Sequence, residues 1–224
     1  ETDGIYGPNQ AITRGEMAKM MARALAGANP EFKQALADLG STFLPYADRD
    51  KIDDEMRPFA ALVAGTGILR GLPDATLSLD KAATRAEAVV ILDRLAATLD
   101  TSVQDHLHLR EFIDVSKYGH NGYVIIGDPI KDIRKEPISL DVKNWEAHVK
   151  YMLFIDFEKG ESAYFPMFAN SKQNAYLDRW YVAFYLEIEN KSDRMVESIS
   201  VVNRMNYNSL FIEEADSKKY NYWF

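Results

Sequence analysis

Apolar positions recur at spacings of three and four up to about residue 100, and from about residue 123 they fall into short runs with strand character. Met17, Met20, Met21 and Ala24 mark one buried face and predict a helix from about Arg14 to Leu25, ended by Gly27. Phe32, Leu36 and Leu39 predict a second helix over 29–40, ended by Gly40. Phe59, Leu62 and Val63 predict a third over about 55–66. Pro58 fits only in a first turn, which moves its start towards Arg57. Ala88, Val89, Ile91, Leu92 and Leu95 form the stripe of a fourth, from about Arg85 to Leu99. Strand character then appears at 123–126, 138–142, 148–157, 164–168, 180–188 and 197–207. Trp180–Ile188 reads as a central, buried strand, and Asn190-Lys191-Ser192-Asp193 as an exposed turn after it. The fold class expected is α+β in two domains. Helical repeats fill 1–100, a linker or degenerate unit 101–122, and an all-β sandwich 123–224.

Two helix starts are written the same way. Thr13-Arg14-Gly15-Glu16 and Thr84-Arg85-Ala86-Glu87 are capping boxes, in which Thr caps the third backbone N–H and Glu returns to the Thr N–H. A shift of 71 positions, without a gap, lays Asp3 on Asp74, Ala11 on Ala82, Thr13 on Thr84, Arg14 on Arg85, Glu16 on Glu87 and Arg23 on Arg94. Such self-similarity marks a repeat. A helix's first turn prefers anions, so an Arg there in both copies points to something outside the helix. A bound carboxylate is one such partner, held by free N–H groups and a charge-assisted bond from the guanidinium. Pairing of each Arg with its own Glu16 or Glu87 is the other reading.

The segment Gly4-Ile5-Tyr6-Gly7-Pro8-Asn9-Gln10-Ala11-Ile12-Thr13-Arg14-Gly15-Glu16-Met17-Ala18 resembles the second half of an S-layer homology (SLH) motif. Gly67-Ile68-Leu69-Arg70-Gly71-Leu72-Pro73-Asp74, followed by Thr84-Arg85-Ala86-Glu87, resembles the core of another, departing from the pattern at Ala75 and Leu79, where Gly and Pro are usual. Phe43, Tyr46 and Asp48 loosely match the opening of that motif, and Phe112-Ile113-Asp114-Val115 resembles the opening of a third. The resemblance covers about residues 1–99. It implies a non-catalytic module on the bacterial cell surface that binds anionic, commonly pyruvylated, secondary cell-wall polysaccharide. It also implies a ligand set of Arg14, Arg85, Arg70, Gly71, Asp74, Asp3 and Gly4, with Thr13, Glu16, Thr84 and Glu87 as helix caps. The strand-turn-strand pattern of the C-terminal half resembles immunoglobulin-like modules of exported bacterial proteins and implies no site residues. The localisation implied is extracellular, at the cell wall or S-layer, and self-association is compatible with that role.

Composition narrows the alternatives. The chain of 224 residues carries 26 Lys+Arg against 34 Asp+Glu, a net charge of −8, which argues against a nucleic-acid binder. There is no Cys, hence no disulfide and no Cys-based metal site. No apolar run is long enough to span a membrane. The chain opens Glu1-Thr2-Asp3-Gly4 inside a repeat and reads as processed or trimmed. Asp48, Asp50, Asp53 and Asp54 invite a calcium reading but lack EF-hand spacing, so they read as a solvated loop with an N-cap. His106, His108 and His120 lack an ordered carboxylate partner for zinc and read as linker residues. No metal and no cofactor is expected. The aromatic tail Tyr220-Asn221-Tyr222-Trp223-Phe224 reads as docked or as a strand. The alternative to an anchor is a wall-attached glycan-acting enzyme, for which Glu158, Glu161 and Asp178 are available carboxylates, with no spacing that singles out a pair.

Overall fold

A computed structural model describes residues 11–127, 132–135, 139–142, 145–157, 159–168 and 180–191. The strand expected over 197–207 and the aromatic tail lie outside them. Helix α1 runs Arg14–Ala28, α2 Pro30–Asp38, α3 Arg57–Gly65 and α4 Arg85–Thr98. Thr13 and Thr84 cap α1 and α4, each with a complete capping box. Helix α1 passes Gly27 and stops at Asn29, whose side chain accepts the Glu31 N–H and so starts α2. Arg57 does open α3, with Pro58 in its first turn and Asp53 accepting the Met56 N–H just before it.

Helix α5 (Leu107–Tyr118) and the short α6 (Gly122–Ile126) follow, and both correct the expectations for their segments. Residues 107–118 are a packed helix, with Leu109, Phe112 and Val115 buried, and no linker. Phe112-Ile113-Asp114-Val115 lies inside this helix. The strand expected over 123–126 is helical because the Asp114 carboxylate accepts the Val124 N–H and Gly127 closes the turn at φ +82°. Helix α7 (Phe165–Phe168) likewise replaces an expected strand, with Pro166 in its single turn.

The strands β1 (Ser139–Val142), β2 (Trp145–Asp156) and β3 (Trp180–Asn190) form one antiparallel sheet in the order β1-β2-β3. Strand β2 is therefore central, and β3 is an edge among the described residues, which corrects the expectation that it is central. Tyr181, Phe184 and Leu186 are partly buried, whereas Val182 is 37% and Tyr185 40% exposed. Beyond β1, the open side of β2 is closed by Gly119–Asn121. The Met152 N–H donates to the Gly119 carbonyl (2.9 Å), and the Asn121 amide exchanges two hydrogen bonds with the Phe154 backbone.

One hydrophobic core runs from α1–α5 into the sheet. Phe43 packs against Tyr151 (5.1 Å between ring centroids), Tyr185 (5.5 Å) and Tyr164 (6.3 Å), and the Tyr164 hydroxyl donates to the Phe43 carbonyl. Leu153, Ile155 and Phe157 join the same cluster as Leu25, Leu62 and Phe112. The boundary expected near residue 101 is thus not a break in packing. Helices cover one face of the sheet, and a second sheet, as a sandwich requires, is not present among the described residues.

The repeat-related helices α1 and α4 bury opposite faces. Met17, Ala18, Met21, Ala22 and Leu25 of α1 are buried while Met20 stands 55% exposed and Ala24 is exposed. In α4, Ile91, Leu95 and Thr98 are buried while Val89 is 65% and Leu92 51% exposed. The stripe expected on α4 is therefore half outward. Gly15 shows how tightly α1 docks: its N–H donates to the Leu79 carbonyl at 2.8 Å, and a Cβ on Gly15 would stand 2.9 Å from that oxygen. Gly15→Ala is expected to cost roughly 1–3 kcal/mol as an overpacking substitution, read from the denaturant midpoint. The equivalent position in the second copy is already Ala86, which is exposed.

Candidate functional site

The site is built where α1 of the first copy meets the turn and helix start of the second. The Arg14 N–H donates to the Lys81 carbonyl (2.8 Å), and Thr13 bridges Ala82 in an antiparallel pair. This places the Arg14 side chain, 3% exposed, under the second copy. Its Nε donates to the Leu77 carbonyl (2.9 Å), one terminal nitrogen to the Arg70 carbonyl (2.8 Å), and the other to Glu87 Oε1 (3.2 Å). A guanidinium fork suits three such acceptors in one plane. Arg14 is thus committed to packing, and the ligand role expected of it is corrected: an incoming anion would have to displace the buried Leu77 carbonyl, the part-buried Arg70 carbonyl and a carboxylate. Neither earlier alternative fits either, because the pair forms with the Glu of the other copy.

Glu87 serves twice. It closes the α4 capping box by accepting the Thr84 N–H (2.8 Å), and it ion-pairs Arg14. The bonds from Thr84 hold its carboxyl below the ordinary range, with Arg14 and Lys81 adding less. Glu16 caps Thr13 in the same way and is likewise held low by its Thr.

The turn over 70–81 is held by Asp48, one of the four aspartates of the polar loop before α3. Its two carboxylate oxygens accept the N–H groups of Leu77 (2.9 Å) and Ser78 (2.8 Å). The only signal for it was its place in the loose match to a motif opening. Asp74 accepts the N–H and hydroxyl of Thr76 (3.1 and 2.7 Å), which hold its carboxyl below the usual value. It holds the turn through Oδ1 and is itself exposed. Ala75, where Gly is usual, takes φ +62°, and Ser78 takes φ +47°. Gly71 lies flat on Tyr46, where a Cβ would meet the ring at 2.8 Å. Burial, and then the Asp48 charge, push the Tyr46 hydroxyl up to about 12. Asp48, Asp74 and Gly71 therefore shape the site.

Arg85 has a different environment from its twin. It is exposed at the first position of α4. Arg70 and Lys81 are also exposed, and Arg94 is half-buried. Burial, followed by the charge of Arg70, draws the Arg94 guanidinium below its ordinary value, with the neighbouring Asp93 opposing. Among the described residues none of Arg70, Lys81, Arg85 and Arg94 forms an ion pair. Lys81 and Arg94 were not among the expected site residues; Arg94 was visible only as the repeat mate of Arg23. Asp3 and Gly4 lie outside the described residues.

The remaining candidates separate. His106 bonds Thr101 (2.8 Å), His108 Nε2 the Glu161 carbonyl (2.8 Å), and His120 is buried beside Tyr118 and Tyr123. Among the described residues no group of His, Asp and Glu is arranged to hold a metal ion, and no helix is long and apolar enough to cross a membrane. Glu161 is exposed, and Glu158 and Asp178 lie outside the described residues.

The perturbed acids are Glu111 and Asp114, both on α5. Burial raises Glu111, which accepts from Asn121 (2.8 Å), Ser162 (2.7 Å) and the Ala163 N–H (2.7 Å) and so ties α5 to the loop before α7. Burial pushes Asp114 up to about 6, against the Val124 N–H, Lys117 and Arg110. The folded value exceeds the ordinary 3.8, so the stabilising share of Asp114 is full below about 4 and lost as pH rises through about 6. Asp114→Asn keeps an acceptor for Val124 and is expected to flatten that part of the slope and to melt higher above pH 6, in thermal scans across pH.

Comparison with known proteins adds one finding. The family model described as S-layer homology domain matches residues 1–18, which include the first capping box and Arg14. No curated protein and no solved structure matches the chain. The match supports an SLH-domain protein, and SLH domains are cell-wall anchoring modules of bacterial surfaces that bind the wall's secondary polymer.

Proposed function

We propose that the helical repeats hold this protein, without catalysis, to an anionic secondary polysaccharide of a bacterial cell wall, and that the sheet-bearing half is displayed from them. The observation that carries this reading is the asymmetry of the two arginines. Arg14 is consumed in joining the copies, while Arg85 stands exposed at a helix N-terminus with no carboxylate partner among the described residues. Free N–H groups, the helix dipole and the guanidinium all favour an anion there. Arg70, Lys81 and Arg94 add positive charge to the same turn-and-helix unit of a chain whose net charge is −8. A ketal-linked pyruvate supplies a carboxylate of suitable size on a neutral sugar chain. The SLH match at the N-terminus supports the same class of ligand.

The test is sedimentation with purified walls, before and after chemical extraction of the secondary polysaccharide. Binding is expected to intact walls and to be lost on extraction. Equal binding to extracted peptidoglycan would refute the polysaccharide as the ligand.

A further inference from the structure

The outward face of α4 carries Val89, Leu92, Ala96 and Leu99, spaced three, four and three residues apart. All are exposed, the large ones at 65%, 51% and 39%. Such spacing lays side chains in one straight seam, the pattern by which two helices pack along their length. The repeat register says what this face is for. Its counterparts in α1 include Ala18, Met21 and Leu25, which are 1%, 6% and 0% exposed because α2 and α3 lie on them. In the second copy the same face stays exposed among the described residues.

We infer that α4 pairs antiparallel with α4 of a second copy of this chain through the seam Val89, Leu92, Ala96 and Leu99. The chemistry is self-complementary. Centred near Leu92, the pairing sets Val89 against the small Ala96 of the other copy. Arg85, at the start of the helix, then meets Asp100, just past the helix end of its mate, both exposed. Antiparallel helix dipoles add to that attraction. The seam is only about 15 Å long at 1.5 Å per residue, so the contact belongs to the small, weak class of interfaces. This inference rests on the apolar seam and stands apart from wall binding. Where both hold, wall anions on Arg85 compete with Asp100 of the second copy.

The experiment is sedimentation of the full chain over a concentration series, without polysaccharide, for the wild type, Leu92→Glu and Asp100→Lys. The wild type is expected to pass from monomer to dimer with rising concentration, up to about 1 mM for a contact this small. Leu92→Glu should stay monomeric throughout with an unchanged melting curve, because the side chain is 51% exposed in the monomer. Asp100→Lys should weaken the dimer by up to about fivefold, as for an exposed charge pair, and should bind walls as the wild type does. A wild type that stays monomeric over the series, or a dimer that survives Leu92→Glu, overturns the inference.

Discussion

Arg14→Ala is expected to destabilise the protein by about 2–4 kcal/mol, because it strips the donors from two backbone carbonyls of the second copy and breaks a half-exposed ion pair. The side chain is 3% exposed and serves three acceptors, two of them backbone carbonyls of the second copy. Without it the buried Leu77 carbonyl and the Arg70 carbonyl lose their donors, and each unsatisfied buried group costs about 1–3 kcal/mol. Lys should restore little, since one ammonium cannot reach three acceptors in a plane. Arg85→Ala should change stability by no more than about 0.5 kcal/mol, as for an exposed residue away from caps and core. Urea midpoints of the three variants measure this. Equal, small losses at Arg14 and Arg85 would mean that the buried geometry of Arg14 is wrong.

The same comparison shows what could be read from the chain. Both capping boxes are local, involving Thr and a Glu three residues on, so both helix starts were legible to the residue. The long strands β2 and β3 were legible for a similar reason, as runs of aromatic and β-branched residues. Helix α5 was not, because Glu111 and Asp114 sit on its buried face and break the apolar period. Their partners, Asn121, Ser162, Ala163 and Val124, are set by tertiary structure. Tyr123, Val124, Ile125 and Ile126 have strand propensity, yet the Asp114 bond and Gly127 make them a helical turn. The repeat pointed to Arg14 and Arg85 together and could not separate them. Which one is buried depends on which copy has a neighbouring turn to dock on, and that is a property of packing. For the same reason the expected face of α4 was half wrong: Val89 and Leu92 stay exposed although their counterparts Ala18 and Met21 are buried in α1.

Glu87 links stability to the site. Gln would keep the capping box but weaken the bond to Arg14, so Glu87→Gln should lose part of what Arg14→Ala loses and little wall affinity.

Wall affinity itself should rest on Arg85. Arg85→Ala is expected to weaken binding to the anionic polysaccharide by about 1.5–3 kcal/mol, the worth of a hydrogen bond to a charged group. That is roughly a 10- to 150-fold rise in Kd. Arg85→Lys should recover only part, because an ammonium lacks the planar fork. Since Arg85 is exposed and outside the clamp formed by Arg14, these variants should fold as the wild type does. The most direct measurement is a calorimetric titration of wild type and Arg85→Ala with purified wall polysaccharide, before and after its pyruvate is removed. The account predicts tight binding only for wild type with pyruvylated polymer, and a similar loss from either change alone. Wild-type affinity in Arg85→Ala, or affinity indifferent to the pyruvate, would contradict it.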